Sequence, residues 1–347
     1  MIKSLILTNF RNHIFSHFEI DDSKVIFVGG NNGSGKTAVL ESISMFSPDK
    51  GLRSASMNDI LRFGSNGCFS VFSNLSDGND LVISYSNNDL SRKVKLNSDN
   101  VSLSSLSSLL KIIWLTPKED RLFIDSIVER RVFFDRLVSC FDENHMSRIS
   151  KLNRLLSERS FALKNKINIK LLDVLDSQIT GISVSIAASR IQYISELSYF
   201  LKGINIDVSG LLESFILNEN ASIAEQKYLD YLINNRFLIN DKMIIDGVNK
   251  TDFKIFNKTL NLPVYLTSTG QQKIVLIDLV LSHSKLINTK LDKKNIILLD
   301  EVFSHLDYLS SKKILNSFQE TNSQIWITGN DDSKVKEFSN VFYIKCV

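Results

Sequence analysis

The sequence has little of what staples small secreted domains or builds metal sites. Its three cysteines, Cys68, Cys140 and Cys346, lie far apart and form no paired metal spacing. An odd number of isolated thiols argues against a disulfide framework. The five histidines make no H-x-x-x-H or Cys/His cluster, so no structural zinc is expected. Charge of one sign is equally scarce: 41 basic against 38 acidic side chains leave +3, so any basic surface must be local. No apolar run is expected to span a membrane. Met1 leads directly into strand-like Ile2–Leu7, not into a charged and then apolar leader. Together these absences predict reduced thiols, a cytoplasmic location and no membrane partner. At 347 residues and 43% apolar composition there is material for about two domains.

Glycine and proline are nearly missing from about 118 to 237, where apolar residues recur at helical spacing. The pattern predicts helices near 118–140, 143–165, 168–202 and 210–237. Strand character precedes this block. Residues 1–28 read as two strands and a turn followed by Lys24–Val28, and 67–97 as an antiparallel meander. Ser- and Leu-rich 102–110 reads as a short helix and Lys111–Leu115 as a buried strand. Strand character is expected again at 242–245, 295–299, 324–328 and 341–345. Within the helical block, 151–170 carries six basic residues against Glu158 alone. Most such runs are solvated helix faces. The alternative is a phosphate-contacting stripe in which Lys151, Arg154, Arg159 and Lys164 are the DNA-binding candidates.

Gly30-Asn31-Asn32-Gly33-Ser34-Gly35-Lys36-Thr37 reads G-x-x-x-x-G-K-[ST] between an apolar strand and a helix whose Val39, Leu40, Ile43 and Phe46 share one face. Glycines there let successive backbone N–H groups turn inward as an anion nest, and the new helix adds its positive end. Lys36 can reach β- and γ-phosphates and the Thr37 hydroxyl can hold Mg²⁺. Arg11 closes the strand before the loop and either faces solvent or reaches the phosphates. Asn295–Leu299 is a continuous apolar strand ending in Asp300-Glu301, the Walker B pattern. Asp300 would hold Mg²⁺ through water and Glu301 would orient or deprotonate the attacking water. Ser268-Thr269-Gly270-Gln271 opens a helix. In ATPases that dimerise head to head, such a turn binds the γ-phosphate held by the other subunit; its plain reading is an N-cap.

The sequence resembles the RecF family of SMC-like bacterial recombination ATPases nearly end to end. The resemblance rests on Leu7–Asn12, the loop 30–37 and Ser47–Arg53. It continues through Trp114–Pro117, Asp120–Phe123, Glu129–Arg131 with Phe134–Leu137, Ser268–Lys273, Leu298–Asp307 and Thr328–Asp331. Two stretches depart from the family pattern: Asp125-Ser126-Ile127 replaces a Gly-Pro pair, and Val248-Asn249 with Lys250 replaces Pro-His-Arg. The resemblance implies an α/β fold, an ABC/SMC-like P-loop ATPase head with mixed sheet plus a helical second lobe. The head would be 1–117 with 262–347, and the helical lobe 118–261. It implies ATP and Mg²⁺ as ligands, with Gly30 to Thr37, Arg11, Gly270, Gln271 and Asp307 binding nucleotide and Lys36, Ser268 and Glu301 catalytic. It further implies an ATP-dependent homodimer on double-stranded DNA and single-strand gap junctions, slow ATP hydrolysis, and action with RecR, RecO and RecA in gap repair.

Other classes fit less well. An ABC transporter ATPase subunit should carry a histidine on the strand after Walker B, and Trp326-Ile327-Thr328-Gly329 has none. A RecN-type structural ATPase needs longer heptad coiled coils between its halves. A small-molecule kinase would not need the Ser268 turn.

Overall fold

The computed structural model describes residues 1–48, 51–88, 91–165, 168–236, 245–293, 295–304, 306–330, 335 and 341–346. They divide into two compact units, Met1–Arg121 with Ser268–Val347, and Leu122–Thr267. Elements are numbered in chain order.

The first unit holds two sheets. β1 (Ile2–Phe10), β2 (His13–Glu19), β4 (Cys68–Leu75), β5 (Asp80–Ser86), β6 (Ser91–Leu96) and β7 (Asp99–Asn100) form one, in the order β2-β1-β4-β5-β6-β7. Every pairing in it is antiparallel. Its strands alternate buried and half-exposed residues, as expected when one face is covered. The second sheet is parallel. It takes β3 (Val25–Gly29), β8 (Lys111–Leu115), β12 (Asn295–Leu299), β13 (Gln324–Gly329) and β14 (Val341–Lys345) in the order β14-β3-β13-β12-β8. β8 and β12 are buried throughout, the continuous apolar signature of a covered parallel strand.

A single core joins the two sheets around α1 (Lys36–Ser44). Val39, Leu40 and Ile43 of the helix pack with Leu5 and Phe10 of β1, Val71 of β4, and Ile112, Leu298 and Trp326 of the parallel sheet. Two short helices, α2 (Met57–Ile60) and α3 (Leu103–Leu109), occupy the connections. The buried Gln324 side chain stitches the sheets together: Ile2 N–H donates to its Oε1 at 2.9 Å, and its Nε2 donates to Ile2 O at 2.8 Å. α9 (Thr269–Leu291) and α10 (Tyr308–Gln319) complete this unit.

The second unit contains α4 (Ile127–Phe141), α5 (His145–Lys164), α6 (Ile169–Ser198), α7 (Leu211–Asn218) and α8 (Ala221–Asn234). It also contains a small antiparallel sheet of β9 (Ile204–Ser209), β10 (Asp252–Asn257) and β11 (Leu262–Pro263) in the order β11-β10-β9. Three expectations change here. The first helix begins at Ile127, not 118, because Ser126 caps it, accepting from Glu129 N–H at 3.3 Å. β9 was not foreseen, although Ile204, Ile206 and Val208 alternate inward at the period of two. The stretch expected as one helix over 210–237 divides at Asn220, which caps α8. The expected strand at 242–245 falls almost entirely outside the described residues. Both departures from the family pattern are accommodated. At the first, Ser126 serves as the cap and Asp125 O accepts from Arg130; at the second, Val248 is buried and its carbonyl accepts from Arg190 Nη1 at 2.7 Å.

α6 is long and apolar enough, by length and composition, to cross a membrane, which the sequence reading did not anticipate. Its apolar residues Leu172, Leu175, Ile179 and Ile186 instead belong to the core of the second unit. It also carries two buried charges in ion pairs, Asp176 with Arg159 and Arg236, and Arg190 with Asp135. Pairing of this kind is what allows charges to be buried at all.

The Asp135 carboxylate accepts from Arg190 Nε and Nη2 at 2.8 and 2.9 Å and pairs with His145 Nε2 at 2.9 Å. Burial alone would raise its pKa, but His145 and Arg190 more than reverse this and hold it below the ordinary value. Its stabilising contribution is therefore complete above the unfolded carboxylate range and fades as pH falls through the lower folded value. Asp135→Asn should cost about 3 kcal/mol in urea unfolding at pH 7, as expected when one partner of a buried pair is removed. That deficit should shrink when unfolding is repeated in strong acid.

Candidate functional site

The loop after β3 is shaped by glycine. Gly30, Gly33 and Gly35 have φ of 154°, 85° and 97°. A side chain at Gly30 would meet Cys346 O and Ser34 Oγ at 2.5 Å, and one at Gly35 would meet His13 Nε2 at 2.5 Å. The turn between β1 and β2 braces the loop from outside. Asn12 Nδ2 donates to Gly33 O at 3.1 Å, and His13 Nε2 to Gly35 O at 3.3 Å. Burial favours the neutral ring and lowers the His13 pKa, only partly opposed by the bond to Gly35, which raises it.

Lys36 opens α1 with its ammonium folded over the loop. Nζ donates to Gly30 O at 2.8 Å, Asn31 O at 2.9 Å and Asn330 Oδ1 at 2.7 Å. Ser34 N–H closes a turn on Asn31 O, while Ser34 Oγ is buried without a hydrogen-bond partner. Orphaned buried hydroxyls are rare in native proteins, and this one belongs to the glycine loop itself. Asn32, Gly33, Lys36, Thr37 and Glu301 line an open cleft of about 680 Å³.

The two motif strands are not neighbours, because β13 lies between β3 and β12. The contact between their ends is made by side chains. Asp300, at the end of β12, accepts on Oδ1 from Thr37 Oγ1 at 2.9 Å and from Thr328 Oγ1 at 2.6 Å. A hydroxyl and a carboxylate side by side are the oxygen donors that suit Mg²⁺, which keeps most of its shell for water and phosphate. Glu301 follows with φ 51°, a conformation non-glycine residues adopt rarely, and its N–H donates to Thr328 Oγ1 at 3.0 Å. The turn is fixed from below by Lys273, whose Nζ donates to Glu301 O at 3.3 Å, Ser304 Oγ at 2.8 Å and Asp120 Oδ2 at 3.0 Å.

Other predicted site residues sit differently. Arg11 lines the cleft, but its guanidinium is committed to the buried Glu41, with Nε to Oε2 at 2.8 Å and Nη2 to Oε1 at 2.5 Å, and to Asp59 O. Ser268 caps α9. Its Oγ accepts from Gln271 N–H at 3.3 Å, and Gln271 Oε1 accepts from Ser268 N–H at 3.2 Å. Ser268, Gly270 and Gln271 do not line the cleft around Lys36. Asp307 caps α10, and its bonds from the Ser310 N–H and hydroxyl lower its pKa. Lys151, Arg154 and Lys164 are exposed on α5, Arg154 pairing with Glu158, whereas Lys166 lies outside the described residues. Arg159 is a correction. It is 2% exposed, bonded to Asp176 and Leu232 O, so it has no guanidinium to offer a phosphate.

Sequence reasoning assigned no role to Asn12, His13, Thr328, Asn330, Asp120 or Lys273. Several stand inside the stretches that carry the family resemblance, but their partners lie on other strands, and sequence order does not reveal strand order.

The chain matches the RecF/RecN/SMC N terminal domain over residues 1–347. It belongs to that family. The DNA replication and repair protein RecF of Rickettsia canadensis (strain McKiel) is 32% identical over 98% of this chain and 97% of its own length. RecF of Mesorhizobium japonicum is 30% identical over 95% and 91%. Among solved structures, the recombination mediator protein RecF of the RecFOR pathway in its ATP form superposes with TM-score 0.83 at 22% identity, covering 99% of this chain and 97% of that one. An SMC head bound to the C-winged helix domain of ScpA reaches 0.53 at 14% identity, covering 99% and 94%. The fold is therefore the RecF and SMC head fold, and the strand-and-loop framework described above is this chain's version of it.

Thr328 tests whether this RecF-family site is held as its hydrogen bonds indicate. Thr328→Val keeps the shape but removes the donor to Asp300 and leaves Glu301 N–H unpaired. Urea denaturation should show a loss of about 1–3 kcal/mol, the cost of an unsatisfied buried group. An unchanged midpoint would mean that the hydroxyl does not hold the site.

Proposed function

We propose that this RecF-family protein is an ATP-dependent DNA-binding switch of recombinational gap repair. The observation that carries the reading is the Thr37–Asp300 contact beneath a glycine loop over which the Lys36 ammonium folds and in which Ser34 Oγ has no partner. Relatives named as DNA replication and repair proteins, matched over nearly the whole chain, support a repair ATPase and not a transporter subunit.

On this reading ATP lies in the cleft with its phosphates on the loop N–H groups and the start of α1. Lys36 exchanges its loop carbonyls for phosphate oxygens, and Thr37 and Asp300 hold Mg²⁺. When bound, the ion would supply positive charge against what develops on the phosphates during phosphoryl transfer. Glu301 orients the attacking water and accepts its proton, giving ADP and phosphate. Ser268 and the Gly270 N–H, at the exposed start of α9, complete the site from a second copy of the chain, so ATP closes a head-to-head dimer and slow hydrolysis opens it. Double-stranded DNA at single-strand gaps is held mainly through phosphates, with Lys151, Arg154 and Lys164 as candidates and Arg159 withdrawn. RecR, RecO and RecA act with it in the cytoplasm.

Lys36→Ala should abolish nucleotide binding by calorimetry. Glu301→Gln should bind ATP and remain dimeric, and a monomer by light scattering in saturating ATP would overturn the dimer reading. DNA affinity should fall steeply with salt, by the counterions each phosphate contact releases. A flat salt response would remove phosphate-led binding.

A further inference from the structure

The second unit has a cleft of its own, about 310 Å³, lined by five consecutive residues of β10 (252–256) and by Phe123, Arg130, Pro263 and Tyr265. Successive strand residues point to opposite faces, so a cleft that touches all five opens along the edge of the strand. The pairing agrees. β9 pairs with all of β10 on one side, whereas β11 reaches only Phe256 and Asn257 on the other. Over 252–255 that second edge has no strand partner among the described residues. Pro263 has no N–H to exchange with Phe256, so Asn257–Leu262 is the hydrogen-bonded pair. At alternate positions, Ile255 and Phe253 therefore turn their backbone groups to the same edge. One of these groups is stoppered from within. Phe253 N–H donates to Asp252 Oδ1 at 2.8 Å, and Arg130 holds that carboxylate through Nε at 2.8 Å and Nη2 at 3.1 Å.

The same alternation puts Lys254, Phe256 and Lys258 on the exposed side. Arg130 is neutralised by Asp252, but neither lysine forms an ion pair among the described residues, Lys254 not even with Asp207 opposite it on β9. Phe256 and Tyr265 stay 38% and 56% exposed on the cleft. An open strand edge, an aromatic cleft and an uncompensated ammonium are together what an extended peptide uses, through main-chain bonds, an apolar side chain and a carboxylate. The volume, at the low end for ligand pockets, suits one large side chain. Nucleic acid fits less well, because a phosphate chain needs a track of cations and the cleft offers one.

We propose that the open edge of β10 docks an extended acidic segment of another protein. The segment adds as a short strand beside Phe253 and Ile255, seats an aromatic side chain against Phe123 and Tyr265, and sets an aspartate or glutamate on Lys254. This docking does not depend on the nucleotide reading.

The test pans a displayed library of random heptapeptides on the full chain and measures the winners by fluorescence anisotropy. Enriched sequences should alternate aromatic with acidic residues. Lys254→Glu should weaken the best of them roughly ten-fold or more, because like charges then meet, and should prefer its lysine-substituted counterpart. Tyr265→Ser should weaken both peptides. Both positions are exposed, so neither substitution should move the urea midpoint. N-methylation of the peptide amides should remove binding, which side-chain contacts alone would not require. No enrichment, enrichment without acids, or winners that bind Lys254→Glu and Tyr265→Ser as they bind the wild type would overturn the docking site. An N-methylated peptide of undiminished affinity would overturn strand addition. Displacement of the peptide by oligo-dT would give the cleft to nucleic acid instead.

Discussion

The contact on which the candidate site depends is the single carboxylate oxygen of Asp300 that receives the hydroxyls of Thr37 and Thr328. It ties the end of β12, the end of β13 and the first turn of α1 in one place. Without it the two motif strands have no direct connection, since β13 separates them. The arrangement also explains why a left-handed Glu301 is tolerated. Its N–H has a partner in Thr328, its carbonyl has Lys273 and Ser304, and the surrounding hydrogen bonds hold a conformation that the residue would not choose alone.

How much of this the sequence disclosed follows from what each signal depends on. Gly30 to Thr37 and Asp300-Glu301 were legible because their chemistry is local: successive residues supply the nest, the lysine and the hydroxyl, or a buried strand delivers its acids. Thr328, Asn330 and Lys273 were not, because each acts through a partner on another element. The parallel sheet draws β3 and β8 from one end of the chain and β12, β13 and β14 from the other. Nothing in the order of residues tells which strand lies beside which.

Arg159 shows a different failure. Counting charge along 151–170 placed it on a basic face. Its phase said otherwise, since Leu152, Leu155, Arg159 and Ala162 recur at the three- and four-residue spacing of one helical face, and that face is the core. The arginine is buried because Asp176 and the Leu232 carbonyl meet its donors. β9 was hidden by a similar preference, a six-residue alternation overlooked among longer helical periods. In both cases the periodicity was present and composition outweighed it.

The site in one chain is chemically lopsided. The cleft gathers the loop, the oxygen donors suited to a cation and a carboxylate, yet the exposed start of α9, capped by Ser268, does not line it. Lys273 nevertheless makes that helix and the Glu301 turn one hydrogen-bonded body, since its ammonium, on the second turn of α9, reaches Glu301 O and Ser304 Oγ. Anything that positions the start of α9 therefore also positions the backbone that carries Glu301. If the partner's phosphates seat on Ser268 and Gly270, as proposed, the pull on one site is felt at the carboxylate of the other through a single buried ammonium and not through a long chain of side chains. That coupling is short because the signature turn and Lys273 are separated by little more than one helical turn, and it follows from geometry within one chain, whatever the second copy contributes.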